Sequence, residues 1–387
     1  MCGFPWMSSR GGGPTLESCR ADLDTPAGGQ MFREYDASGN GGSIRKGMSV
    51  HPDGFGDPNR EGGPMTVWSR ALPLILACVL PAALRAQQPP AQTPAPPTPV
   101  PSDLDVRMIR LKISAGDLPS AESILEVHRA EKGEDGDYVL GLAWLARGAA
   151  LTGDWKAASS HAQAARELAE SKLKTAADYD SNREAVYALG ASIEVQAQAL
   201  VASGKKSEAI RFLDESSRAQ EKAPFNLRAR IWKRRNLIEL TGQKAPAIRG
   251  EDHLGREAPS LEALRGTPVV LFFWWEACGD CKMQAAALRR TVEKYTPKGV
   301  IFVAPTRFYA PASDRAEERA RIGKAWKEIY ALPDSVAVPI GDEAMLRYGV
   351  SATPTFAFVD RKGVVTRYSP TRMTEERLSA AIEDLLR

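Results

Sequence analysis

Two patterns of apolar positions divide this chain. Between residues 102 and 242, Leu, Ile and Ala recur three and four positions apart, as in Leu118-x-x-Ala121-x-x-Ile124-Leu125 and Ala158-x-x-x-Ala162-x-x-Ala165. That spacing marks one face of an α-helix. Beyond residue 243 the pattern changes to short unbroken apolar runs, such as Val269-Val-Leu-Phe-Phe-Trp-Trp275, separated by helical stretches. Such runs suit strands buried on both faces. They predict strands near 269–274, 300–304, 336–339, 355–359 and 364–368, and helices near 279–295, 313–331, 343–348 and 374–386. The reading is an all-α unit at 102–242 followed by an α/β unit at 243–387.

Turn signals refine the helical part. Ala115-Gly-Asp117, Thr152-Gly-Asp154 and Ser203-Gly-Lys205 each precede an amphipathic stretch. Tyr138-x-x-Gly141 and Tyr187-x-x-Gly190 stand in matching places before the second and third turns. Helical hairpins follow, and the pattern resembles degenerate tetratricopeptide repeats. Such hairpins serve either as a surface that docks a partner or as a packing spacer. The basic run Arg228-Ala-Arg-Ile-Trp-Lys-Arg-Arg235 reads as the solvated face of the last helix, with Ile231 and Trp232 buried. Thr241-Gly-Gln-Lys244 reads as its C-cap, and Asp360-Arg-Lys-Gly363 as a hairpin turn.

The N-terminal 101 residues follow neither pattern. Residues 1–64 are Gly-rich and broken by Pro, which suits a disordered arm or a mis-assigned extension upstream of the true start. Met65 opens a better N-terminus. Arg70 is followed by the apolar segment Ala71–Leu80 and the small-residue exit Pro81-Ala-Ala-Leu-Arg-Ala86. This is signal-peptide anatomy for residues 65–86, too short to span a bilayer. Cleavage is expected after Ala86. Leu76-Ala77-Cys78 loosely resembles a lipidation site, so the mature chain is expected to be either soluble or anchored. Residues 87–101 carry seven prolines and read as a semi-rigid linker.

Composition narrows the chemistry. The chain has 387 residues and a formal net charge of +3, so no nucleic-acid partner is indicated. Of its five cysteines, Cys2, Cys19 and Cys78 precede the expected cleavage point, which leaves Cys278 and Cys281. A single dithiol is a redox centre rather than a stabilising framework. Strand, tight turn, Cys278-Gly279-Asp280-Cys281 and helix follow in that order. This places the first sulfur at a helix N-terminus, where backbone N–H groups favour the thiolate. Cys281, one turn further in, can resolve a mixed disulfide. Zinc needs two more ligands, and His128, His161 and His253 are not spaced to supply them, so no metal is expected. No cofactor beyond the dithiol is expected.

These residues carry a family resemblance. Phe273-Trp274-x-x-x-Cys278-Gly-x-Cys281-Lys282-Met283 resembles the active-site strand and helix of thioredoxins. Tyr348-Gly-Val-Ser-Ala-Thr353-Pro354-Thr-Phe-Ala-Phe-Val-Asp360 resembles their cis-proline segment and the strand after it. The lead-in from Ala245-Pro246 to Leu261-Glu-Ala-Leu-Arg-Gly266 resembles the TlpA/ResA branch of membrane-associated reductases. The resemblance implies a central mixed sheet flanked by helices. It implies a cis Thr353–Pro354 bond facing the dithiol, with Trp274, Thr353 and Pro354 at the substrate. It also implies an extracytoplasmic, for example periplasmic, protein-disulfide reductase fed by a membrane electron donor. Apocytochrome c or a cuproprotein-assembly factor would be the partner. An oxidase or isomerase on the same fold, and a redox-sensing adaptor, remain alternatives.

Three departures, at Phe272, Gln284 and Asp280 (where Pro is common), and a nearby anion, Glu276, bear on mechanism. Phe272 stands where thioredoxins commonly carry a buried Asp, and Gln284 where ResA-type proteins carry Glu; neither side chain titrates. Asp280 lies between the cysteines and Glu276 two residues before them. As anions they are expected to oppose thiolate formation at Cys278, and either is a candidate proton acceptor. Trp275 replaces a small residue and has no assigned role.

Overall fold

The computed structural model describes residues 102–387, with side chains from Val106 onward. The readings of an N-terminal extension, a signal segment and a linker lie outside the described residues.

Among the described residues, eight helices come first. They are α1 (Ser102–Ser114), α2 (Leu118–Lys132), α3 (Gly136–Thr152), α4 (Trp155–Lys172), α5 (Ala176–Ser181), α6 (Arg183–Ala202), α7 (Lys206–Ala219) and α8 (Phe225–Glu239). All three turn signals separate helices. Gly116, Gly153 and Gly204 each adopt a positive φ near 80°, which glycine reaches without strain. Asp117 and Asp154 then cap the next helix, accepting from the amides of Ser120 at 3.2 Å and Ala157 at 2.9 Å. The turn at Gly133 to Asp135 was not foreseen. There Asp135 caps α3 by accepting from the Tyr138 amide at 2.9 Å.

Small residues let these helices approach closely. A Cβ on Gly141 would lie 2.5 Å from Leu125, and one on Gly190 would lie 3.1 Å from Leu227 and Arg230. The matching Tyr-x-x-Gly positions are therefore helix-crossing points. Ala158, Ala162, Ala165 and Ala169 line the buried face of α4.

The basic run in α8 departs from expectation. Ile231 is buried, but Trp232 is half-exposed, and Lys233 and Arg234 are buried. Arg230 reaches Glu194 of α6 at 2.5 Å, Arg147 of α3 reaches it at 3.2 Å and Lys233 lies 3.6 Å away. Burial pushes the Glu194 carboxyl up, yet Arg230, Lys233 and Arg147 together hold it well below the usual range. The run is thus an internal ionic junction rather than a solvated face. A helix periodicity finds the apolar stripe but not the buried partner of a cation on its edge.

The α/β part follows as β1 (Asp252–Leu254), β2 (Val269–Phe273), α9 (Gly279–Tyr295), β3 (Ile301–Val303), α10 (Arg315–Ala325), β4 (Val338–Ile340), α11 (Asp342–Arg347), β5 (Thr355–Val359), β6 (Val365–Ser369) and α12 (Glu375–Leu386). A π-helical turn, Trp326–Tyr330, extends α10. The sheet order is β3-β2-β5-β6, with β2 parallel to β3 and antiparallel to β5. β4 joins the far side of β3 through bonds from Ala304 to Ala337 at 2.9 Å and from Thr306 to Pro339 at 3.0 Å. β1, which the apolar pattern missed, pairs with β4 along three residues. A strand this short leaves no periodicity to read.

Alternation along β2 sorts its side chains into two layers. Val270, Phe272 and Trp274 face α9, α10 and α12, while Leu271 and Phe273 face Tyr348, Met345 and Leu240. β2 and β5 are buried throughout, which explains their unbroken apolar runs.

The end of α8 packs on the α/β part. Asn236 Nδ2 donates to the Arg347 carbonyl at 2.9 Å, and Gly349 lies against the backbone of Lys233. This contact lies five residues before Pro354, so the helical part touches the segment that builds the site.

Candidate active site

β2 ends in a loop that turns into α9, and Cys278 is the N-cap of that helix. Its Sγ accepts from the Cys281 amide at 3.1 Å. The arrangement offers the sulfur a backbone N–H at the positive end of a helix dipole. Cys278 is partly exposed, while Cys281 is fully buried beneath it. An incoming disulfide can therefore reach the first sulfur and not the second.

The loop before the cysteines is pinned from β3 and its exit. Trp274 Nε1 donates to the Ala304 carbonyl at 3.0 Å, and the buried Thr306 hydroxyl donates to the Trp274 carbonyl at 2.7 Å. Trp274 also packs on Trp326 and Tyr330, with ring centroids 5.2 and 4.8 Å away. Trp274 was expected at the substrate, but it is 0 % exposed. Its place is in the wall that holds the dithiol loop, because an indole of this size fits the layer between the sheet and α10. Trp275 is half-exposed and lies beside Tyr309, with centroids 4.8 Å apart.

Thr353 and Pro354 come from the far side, between α11 and β5. Their peptide bond is cis, and the Thr353 carbonyl accepts from the Cys278 thiol at 3.3 Å. Thr353 is half-exposed and Pro354 buried. Two segments seventy-five residues apart thus meet at one sulfur.

The two neutral departures have structural roles. Phe272 lies in the core, 5.8 Å from Tyr330 and 5.2 Å from Phe356 by ring centroid. Gln284 is buried, donates from Nε2 to the Met373 carbonyl at 2.9 Å and accepts from the Met373 amide at 2.9 Å. Satisfying both backbone groups needs a donor and an acceptor on one side chain, which an amide supplies and a carboxylate does not.

The sulfurs are electrostatically unlike. Cys278 is held down at about 7, chiefly by a hydrogen bond from Cys281. Burial pushes it up, Thr353 and the Cys281 backbone lower it, and Asp280 raises it. Asp280 opposes the thiolate as expected, but hydrogen bonding outweighs it. Asp280 Oδ1 also lies 3.6 Å from Arg372 Nε, which draws part of its field away. Burial and the neighbouring Cys278 push Cys281 well above the ordinary thiol value. Glu276 is raised, first by burial and then by the Glu318 carboxylate.

Iodoacetamide should read this asymmetry directly in the reduced chain. Cys278 should alkylate with a pH midpoint near 7, with Cys281 protected at the same pH. Asp280→Asn should move that midpoint downward, since it removes an anion that disfavours the thiolate. A midpoint at the free-thiol value, about 8.5, would contradict the geometry.

Thr306, Tyr309, Glu318, Arg321 and Arg372 also border the site, and none was singled out from the sequence. They arrive from β3, α10 and the approach to α12, with no motif spacing to mark them. Among the described residues, no group of three or more His, Cys, Asp or Glu side chains is placed to hold a metal.

Residues 240–385 match the family model described as Redoxin. The ResA thiol-disulfide oxidoreductases of Bacillus thuringiensis and Bacillus anthracis are each 27 % identical over 144 residues, 37 % of this chain and 78 % of the relative. The thioredoxin-like protein YneN of Bacillus subtilis is 25 % identical over the same length. Among solved structures, a secreted disulfide oxidoreductase of Mycobacterium tuberculosis is 20 % identical with a TM-score of 0.30, covering 36 % of this chain and 96 % of that one. A thiol-disulfide isomerase of Corynebacterium glutamicum is 18 % identical with a TM-score of 0.32, covering 37 % and 96 %.

Proposed function

We propose that this chain, whose residues 240–385 form a thioredoxin-fold thiol–disulfide oxidoreductase domain, is exported and reduces disulfides of extracytoplasmic proteins. The observation that carries the reading is the pairing of a partly exposed Cys278, held at about 7, with a buried, high-pKa Cys281. The Cys278 thiolate attacks one sulfur of the partner disulfide, and the other leaves as a thiolate. Cys281, once deprotonated, attacks the Cys278 sulfur. The partner sulfur still bound to Cys278 departs as a thiolate, and the Cys278–Cys281 disulfide closes with two electrons passed to the partner.

How strongly the thiolate is stabilised supports the reductive direction. A strong oxidant holds its reduced form by lowering the nucleophile to about 3.5, whereas a thioredoxin-type reductant sits at about 7. A Cys278 held at about 7 supports the second reading. A reductant of this kind needs a donor to re-reduce it, and a membrane donor suits the leader-like segment Met65–Ala86. The Thr353 carbonyl offers a pairing point for an extended substrate chain such as that of apocytochrome c or a cuproprotein-assembly factor. The helical hairpins would dock the partner.

The reduction potential of the Cys278–Cys281 pair tests the direction. A value of about −270 mV or lower is expected, and one near −120 mV would make the enzyme a disulfide donor instead. Export is tested separately by N-terminal sequencing of the chain recovered outside the cytoplasm, which should begin at Gln87.

A further inference from the structure

Resolution needs a proton acceptor. Cys281 is buried and its thiol holds its proton strongly, yet only its thiolate can attack Cys278. The two positions flanking the dithiol from the core and from the helix carry Phe272 and Gln284. Phe272 cannot take a proton, and Gln284 is fully used by the Met373 backbone. Tyr309 and Tyr330 lie close enough to feel both sulfurs, but burial pushes their phenols above any pH at which they could act as bases.

Glu276 remains. Its side chain is only 10 % exposed, on the loop that leads into Cys278. One oxygen lies 3.7 Å from Arg321 Nε. The other, Oε2, is buried and has no hydrogen-bond partner. The backbone of the preceding residue, Trp275, hydrogen-bonds the Cys281 sulfur, so this loop reaches the buried thiol. A buried carboxylate oxygen with an open lone pair is costly unless something else uses it.

We propose that the Glu276 carboxylate accepts the Cys281 proton during resolution of the mixed disulfide. This rests on the dithiol-exchange reading above. The thiol proton passes to Glu276, the Cys281 sulfur forms its bond to Cys278 Sγ, and the bond from Cys278 to the partner breaks. The partner leaves as a thiolate that takes a proton from solvent. Glu276 later returns its proton to water through its exposed edge.

The surroundings tune this carboxylate. From α10, Glu318 faces it as an anion and Arg321 as a cation. Glu318 is anchored by the amides of Tyr309 at 2.8 Å and Ala310 at 2.9 Å. Tyr309 and Tyr330 feel Glu276 and both sulfurs, Arg307 lies 4.7 Å from the Tyr309 ring centroid, and Asp280 acts on Cys278. Burial and Glu318 raise Glu276, while hydrogen bonds from its own backbone amide and that of Ala277, together with Arg321, lower it, with the net effect upward. A raised carboxylate is a stronger base, better matched to a thiol.

The test reacts the reduced full-length chain, with Cys2, Cys19 and Cys78 replaced by serine, with excess 5,5′-dithiobis(2-nitrobenzoate), so that a coloured thiolate is released twice. The first release reports attack by Cys278, and the second reports resolution by Cys281. Glu276→Gln should slow the second phase about 100-fold near neutral pH and change the first little. In the wild type the second-phase rate should rise with pH as Glu276 ionises and then level. In Glu276→Gln it should climb continuously with hydroxide. Glu276→Asp should recover part of the second phase by restoring a carboxylate. A Glu276→Gln second phase equal to wild type in rate and pH profile overturns the proposal. So does equal slowing of both phases in the Asp and Gln variants, which marks a merely structural role. Loss of the first phase in the wild type would instead refute dithiol exchange itself.

Discussion

Cys278→Ser is expected to bring disulfide reduction below about 0.1 % of wild type, while Cys281→Ser accumulates a covalent complex with the partner. The two outcomes differ because the sulfurs stand differently. Cys278 is the N-cap of α9, partly exposed and facing the Thr353 carbonyl. A serine hydroxyl there meets the same amide, but it does not ionise near neutral pH and cannot attack a disulfide. Cys281 is fully buried, so replacing it leaves the first attack intact and removes only the release. Non-reducing electrophoresis of each variant with an oxidised protein substrate distinguishes them. The Cys281→Ser adduct should disappear on adding dithiothreitol and in the double variant. Turnover by Cys278→Ser would place the nucleophile elsewhere. A partner that binds Cys278→Ser as tightly as wild type, with no turnover by the wild type, would favour an adaptor.

Gly349→Ala should have the largest effect on stability. Gly349 has φ +63°, and a Cβ there would lie 2.2 Å from the Lys233 nitrogen and 2.6 Å from the Trp232 carbonyl carbon. Both obstacles are backbone, so neither can swing aside as a side chain does. The left-handed conformation and the overlap together should cost about 3 kcal/mol or more. Gly363→Ala is the matched control. Its φ is +77°, but nothing lies within 4 Å of the added carbon, so only the backbone term of about 1 kcal/mol applies. Urea denaturation of both variants measures the difference. Equal losses would mean that α8 does not press on Gly349. The activity of Gly349→Ala should fall as well, since the displaced segment leads directly into Thr353 and Pro354.

Much of the site was legible before any coordinates. Cys278 and Cys281 announce themselves by their spacing after an apolar run. The limits of α9 match the expected 279–295, because a strand, a tight turn and an amphipathic stretch are all local signals. The cis Thr353–Pro354 bond was anticipated from the flanking residues rather than from physics, and it lies where the resemblance implied. Trp274 is suited by sequence both to the substrate side and to core packing beside the active-site helix, because a strand-end aromatic fits either side of the loop. Only the packing of Trp326 and Tyr330 against it decides that it is buried.

By itself, the sequence determined everything that short-range periodicity and motif spacing encode. That includes the helical hairpins and their glycine turns, the buried strands β2 and β5, and the dithiol at a helix start. These depend on neighbours within a few positions, where backbone preference and the burial of one face act directly. Tertiary structure alone decided the rest. It placed Arg147, Arg230 and Lys233 around one buried Glu194, and it turned Gln284 into a backbone staple. It also left a Glu276 oxygen buried without a partner. Charge, burial and hydrogen bonding are properties of a place in space, and segments far apart in the chain build that place together.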